Sequence, residues 1–223
     1  MKTFRLTGLC AATVTPFDEN GNLRLAQVGQ IVDHLIQSGV KGLYVCGSTG
    51  QNLVGLKFTT PMLHQYQQCL ELDDGRFDVL WGVDEMMLGA LATGATGAIG
   101  STYNVAAPVY LQIIDAFQRG DWQAARHWQA RAILFIGILA SYPFHSALRE
   151  VMKLQGFNFG HCRLPIRPLT DGEAAQLKDE LDAVEFFEWC HTDGDRQRLC
   201  RDAAHNRHSV KPAANSARGH ERI

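Results

Sequence analysis

Short apolar runs that break off in small polar words, with helical stretches between them, set the strongest limit on how this chain folds. Gly42-Leu-Tyr-Val-Cys46 stops at Gly47-Ser48-Thr49-Gly50, and the run from Asn52 to Phe58 stops at Thr59. Asp78-Val-Leu-Trp81 stops at Gly82, Gly97-Ala-Ile-Gly100 stops at Ser101, and a first run over residues 6–14 precedes Thr15-Pro16-Phe17. Apolar runs this short, bounded by turn residues, suit strands buried on both faces. Between the first two, Leu25, Val28, Ile31, Val32, Leu35 and Ile36 recur at helical spacing, and Gly39 supplies the stop. Residues 60–70, 84–93, 107–119, 121–140 and 144–155 read as further helices. A last helix opens at Thr170, with Glu173 three residues on as the partner in a capping box. Strands alternating with helices predict β/α units around a parallel sheet, whose functional groups gather at the carboxyl ends of the strands. The polar words at 47–50, 57–59, 82–85 and 100–104 all fall there.

Composition narrows the class without naming it. With 223 residues the chain can build one sizeable core, and 46% apolar against 20% charged residues is ordinary for a globular protein. A net charge of −2 argues against nucleic-acid or membrane partners. Neither a secretory start nor an apolar run of spanning length is evident, so a cytoplasmic protein is expected. The six cysteines form no C-x-x-C pair, which suits free thiols in a reducing compartment, and no His/Cys set has metal-ligand spacing. After Trp189 the character changes: residues 190–223 hold seven Lys/Arg, four Asp/Glu and four His with few large apolar side chains. That stretch reads as a disordered tail on a domain of residues 1–189, and seven basic residues interrupted by acids are weak grounds for a nucleic-acid tail.

Four words carry possible chemistry. Lys57 stands at a strand's carboxyl end between Leu56 and Phe58, where desolvation would favour the neutral, nucleophilic amine. A lysine snorkelling outward is the ordinary alternative and, on local sequence alone, the commoner one. Gly47-Ser48-Thr49-Gly50 offers hydroxyls and backbone N–H groups suited to a carboxylate or phosphate, though it lacks the lysine of a P-loop. Gly82-Val83-Asp84-Glu85 and Gly100-Ser101-Thr102-Tyr103-Asn104 could hydrogen-bond sugar hydroxyls. Acids at a helix start are equally explained by the helix dipole.

Taken together and in order, these words, with Gly8-Leu-Cys-Ala-Ala-Thr-Val-Thr-Pro-Phe17, resemble the N-acetylneuraminate lyase branch of the dihydrodipicolinate synthase superfamily over about residues 5–189. The resemblance implies a (β/α)₈ TIM barrel with extra C-terminal helices, usually a homotetramer. It implies a Schiff-base (class I) aldolase that cleaves N-acetylneuraminate to N-acetylmannosamine and pyruvate without a metal or organic cofactor. By the same resemblance Lys57 forms the Schiff base and Ser48 and Thr49 hold the pyruvate carboxylate. Thr59, Gly82, Asp84, Glu85 and Ser101 would line the sugar side.

The chain departs from that pattern in one place. Between Gly50 and Asn52 stands only Gln51, where the family has a helix and three further β/α units, roughly 110 residues at about 30 per unit. The missing part carries the family's catalytic tyrosine, and none of Tyr44, Tyr66 or Tyr103 sits in its motif. Five strands cannot close an eight-stranded barrel, so an open or rearranged sheet with exposed apolar edges is expected, and such edges favour self-association. Only five residues separate Gly47 from Leu53, too few for a crossover between parallel neighbours, so strand two and the lysine strand are expected not to run parallel without distortion or exchange. An inactive deletion product, or a scaffold-like protein of the same family, is the competing expectation.

Overall fold

A computed structural model describes residues 7–12, 14, 16–18, 22, 24–44, 55–72, 74–75 and 77–190. Five strands, β1 (Gly8–Ala12), β2 (Gly42–Tyr44), β3 (Gly55–Phe58), β4 (Asp78–Trp81) and β5 (Gly97–Gly100), form one sheet in the order β2-β1-β5-β4-β3. All pairings are parallel. The helices are α1 (Val28–Gln37), α2 (Leu63–Leu70), α3 (Met87–Ala92), α4 (Tyr103–Gln118), α5 (Trp122–Ala140), α6 (Phe144–Leu154), α7 (Asp171–Ala183) and α8 (Phe186–Cys190). None of these, taken singly, is long and apolar enough to cross a membrane.

The strand order is that of a ring with a piece removed. Each strand lies beside the next in sequence except β2 and β3, and the last strand, β5, returns to pair with the first. The break therefore falls where the sequence lacks its β/α units, and five strands make an open arc. The expectation that β2 and β3 could not run parallel is corrected. They run in the same direction at opposite edges of the sheet, so the crossover limit for adjacent strands does not apply to them. The link from Tyr44 to Gly55 has eleven Cα steps. Eleven steps reach about 36 Å when extended, whereas four strand spacings span about 19 Å.

Alternation along the strands separates two faces. Leu9, Ala11, Val79, Trp81 and Ala98 point into the main core under the helices, joined by Leu56 and Phe58. Cys10, Leu80 and Ile99 form a small cluster on the other face, the one that lines the inside of the arc. Lys57 lies between Leu56 and Phe58 and opposite Leu80, so period two puts it on that inner face. The lysine strand is pinned from behind: Phe58, Tyr66 and Trp81 make an aromatic triangle with centroids 4.9–6.0 Å apart. The buried Tyr66 hydroxyl donates to the Val79 carbonyl at 2.8 Å.

Most helices lie where periodicity puts them, and Thr170 and Glu173 close the capping box. Two readings change. Helix α4 starts at Tyr103 rather than 107, with a kink at Ala106 ahead of Pro108. Pro108 has no N–H to give the Asn104 carbonyl, and His34 Nε2 donates to that oxygen instead at 2.9 Å. Cys190, read as the first residue of the tail, ends the unanticipated α8. The rest of the tail, 191–223, lies outside the described residues.

Candidate functional site at the carboxyl ends of the strands

Strand β3 delivers Lys57 and, one residue past its end, Thr59; β4 ends before Gly82 and β5 at Gly100. The Gly82 N–H donates to the Phe58 carbonyl at 2.8 Å, carrying the β3–β4 pairing one residue beyond the strands. Gly82 is required by space. A Cβ there would stand 2.6 Å from Lys57 Cε, 2.5 Å from Thr59 Oγ1 and 2.9 Å from the Phe58 carbonyl oxygen. The bare glycine thus gives the lysine stem its path into the site.

Lys57, Thr59, Gly82, Asp84, Glu85 and Ser101 all line one cavity of about 280 Å³. The sequence named these residues from three separate words, and the fold brings them together. Ser48 and Thr49, the expected carboxylate holders, lie outside the described residues. Ile136 of α5 and Phe144 of α6 close the apolar side, which no strand-end word announced. A larger cavity, about 650 Å³, lies at the amino ends of β1 and β5 beside Lys41 and Thr96 and includes none of the expected residues.

Two expectations are refined by burial. Lys57 is exposed rather than desolvated. Among the described residues its strand pairs on one side only, with β4, so water reaches the flank that further strands would cover. Asp84, by contrast, turns into the protein and is 7% exposed. The Thr102 hydroxyl donates to Asp84 Oδ2 and also meets the Tyr110 hydroxyl at 2.8 Å. The Asp84 backbone carbonyl accepts from Gln129 Nε2 of α5 at 3.3 Å. Both carboxylate oxygens press on Gly100, where any Cβ would collide with them. Burial pushes the Asp84 carboxyl from 3.8 up to about 6, against the opposing effect of the Thr102 and Tyr103 hydroxyls, and neighbouring Glu85 adds to the rise.

The word at 100–104 divides in the same way. Ser101 and the buried Thr102 both border the cavity, whereas Tyr103 and Asn104 are buried supports behind it. The Asn104 amide donates to the Ala12 and Ser101 carbonyls at 2.7 Å each, tying the ends of β1 and β5 together. Sequence reasoning missed these supports because the groups they hold, Asp84 and Ala12, lie eighteen and ninety-two residues away in the chain. Among the described residues no tyrosine lines the cavity. Tyr66, bonded to Val79 and pushed up to about 12 by burial, belongs to the core. Also among them, no group of three or more His, Cys, Asp or Glu is placed to hold a metal ion.

An arc of parallel β/α units whose strand ends converge on a lysine-lined cavity places the chain in the (β/α)₈-barrel class, with part of the ring absent. It belongs to the dihydrodipicolinate synthetase family, whose model matches residues 5–52 and 51–184. The match divides at the same point as the missing units. The chain is 37% identical over 136 residues to N-acetylneuraminate lyase of Mus musculus, covering 60% of this chain and 42% of that one. It is 34% identical over 131 residues to 4-hydroxy-tetrahydrodipicolinate synthase of Limosilactobacillus reuteri, covering 59% and 42%. It therefore spans less than half the length of these relatives. Among solved structures, N-acetylneuraminate lyase from Aliivibrio salmonicida matches with a TM-score of 0.75 and 27% identity, over 81% of this chain and 97% of that one.

Proposed function

We propose that the chain is a Schiff-base aldolase-type lyase acting on N-acetylneuraminate, releasing N-acetylmannosamine and pyruvate. One observation carries the reading: Lys57, Thr59, Gly82, Glu85 and Ser101 share a single cavity in which Gly82 leaves space for the lysine stem. In this reading Lys57 Nζ attacks the keto carbon and water leaves. The resulting protonated imine accepts the electron pair as the carbon–carbon bond breaks, and the adjoining sugar hydroxyl loses its proton to water to become the aldehyde. Protonation of the enamine followed by hydrolysis releases pyruvate and restores Lys57. Thr59, Gly82, Asp84, Glu85 and Ser101 line the side that takes the sugar hydroxyls, and Ser48 and Thr49 hold the carboxylate. No cofactor is required. The reaction is assigned to the unit ending at Cys190, in a cytoplasmic homo-oligomer without nucleic-acid or membrane partners.

The competing reading, a family member that has lost catalysis and serves as a scaffold, is favoured by two features. Lys57 is exposed on an edge strand, and the family's proton-relaying tyrosine is missing. General acid–base help is worth about 10²–10⁴-fold, so even an active chain is expected to turn over slowly. Borohydride reduction in the presence of pyruvate separates the two. A pyruvate adduct on the intact chain supports the lyase, and an unmodified chain supports the scaffold.

A further inference from the structure

The cavity of about 650 Å³ opens at the amino ends of the strands, whereas Lys57 serves their carboxyl ends. Its floor lies where β1 and β5 begin. Gly8, Gly97 and Ala98 carry little or no side chain there, and the Gly8 N–H donates to the Thr96 carbonyl at 3.0 Å. Its walls come from the helices on either side: Met87 and Leu91 of α3, Ile114 and Phe117 of α4. Cys10 adds to the wall, and burial pushes its thiol up, so it stays neutral and serves as apolar surface. The volume falls within the range of about 300–1,000 Å³ usual for small-molecule sites.

The polar groups around this chamber are unbalanced in charge. Lys41 is the one cation among the described lining residues, and none of them is an acid. Thr7, Thr96 and Gln118 are neutral. Among the described residues Lys41 takes part in no ion pair. Its backbone N–H donates to the Leu9 carbonyl at 2.8 Å, and its stem passes over Gly8, where a Cβ would stand 3.1 Å from Lys41 Cγ. Gly8 has a φ of +81°, which glycine adopts without strain, so the backbone and the lysine stem ask for the same residue. Apolar walls with one cation and no anion suit a ligand that is apolar along its length and negative at one end. We propose that this cavity binds a small aliphatic carboxylic acid, its chain between α3 and α4 and its carboxylate on Lys41 Nζ. A neutral chain would leave the ammonium without a counter-charge, and a multivalent anion would meet a single cation among apolar walls. The site shares no residue with the Lys57 cavity and does not depend on the Schiff-base reading.

The probes are octanoate and its uncharged counterpart, 1-octanol, titrated by calorimetry into the full chain and its variants. Octanoate is expected to saturate one site, with affinity rising about fourfold for each methylene added from hexanoate upward. Lys41→Gln is expected to weaken octanoate about fivefold and to leave 1-octanol unchanged. Ile114→Trp, which fills the chamber from α4, is expected to abolish binding of both. Lys41 is exposed, so its variant keeps the fold, and the charge comparison stands even where the tryptophan variant unfolds. No saturable binding of octanoate, or an equal effect of Lys41→Gln on the two probes, overturns the proposal. Lys57→Ala is expected to bind octanoate as the parent does, and a loss there would place the acid in the other cavity and overturn it too. Residues 1–6, which lead into Thr7, are the competing occupant. Phe4→Ala in the full chain is expected to leave octanoate affinity unchanged, and a tenfold gain would mean that the chain's own start fills the chamber, against the proposal.

Discussion

The two sides of the Lys57 cavity differ in how they are supported. The β4–β5 side has neighbours all round: Asp84, Thr102, Tyr103 and Asn104 are each buried, and α4 and α5 brace them from behind. Among the described residues the β3 side has a neighbouring strand on one flank only, and Lys57 is exposed there. Removing units from a β/α ring leaves the remaining strand order and the helix-facing core in place, because each strand's core contacts are mostly local to its own unit and the next. What it removes is shielding at the two new edges. The lysine stands on one of those edges, so the chemistry is more exposed to the loss than the fold is.

That contrast can be broken or sharpened by substitution. The largest effect is expected behind the lysine strand. Trp81 is fully buried between Phe58 and Tyr66, and Trp81→Ala should cost about 3–5 kcal/mol of stability in a urea titration. A cost under about 1 kcal/mol would mean that the β3–β4 side is as loose behind as it is in front. Gly82→Ala comes next. Its Cβ meets the Phe58 backbone as well as Lys57, so about 1–3 kcal/mol of strain is expected, together with a marked loss of pyruvate adduct. Unchanged adduct yield would show that the lysine does not take the path over Gly82. Tyr66→Phe leaves the Val79 carbonyl without its side-chain donor and should cost about 1 kcal/mol.

The sequence revealed the site more fully than it revealed what holds the site in place. Lys57, Thr59, Gly82, Glu85 and Ser101 were identifiable because each sits in a short word at a strand end, and strand ends of a parallel sheet converge. The parallel course of β2 and β3 was misjudged because chain length alone limits neighbouring strands, and the spatial order of the strands was not in view. The burial of Asp84 was not legible because its turn towards Gly100 depends on Thr102 and Tyr110, eighteen and twenty-six residues away. The exposure of Lys57 depends on which strands are missing beside β3, not on its own neighbours in sequence.

The smallest effects are expected farthest from the cavity. Glu173 is held at about 2 by Arg167, with Thr170 assisting. A carboxyl lowered in the folded state adds stability above about pH 4.5 that is lost as pH falls towards 2. Glu173→Gln should remove that acid-side loss without altering adduct formation, as read by thermal melts from pH 3 to 6. Thr170→Ala, which removes the cap itself, should cost about 1 kcal/mol. A change in adduct yield from either variant would mean that the site is not confined to the strand ends.

The central claim is that Lys57 remains a Schiff-base lysine on an incomplete ring. It is tested most directly by reducing the chain with borohydride in pyruvate and mapping the modified peptide by mass spectrometry. The account predicts one adduct, on Lys57, absent from Lys57→Ala. Adducts spread over several surface lysines at similar yield, or none on Lys57, would contradict it.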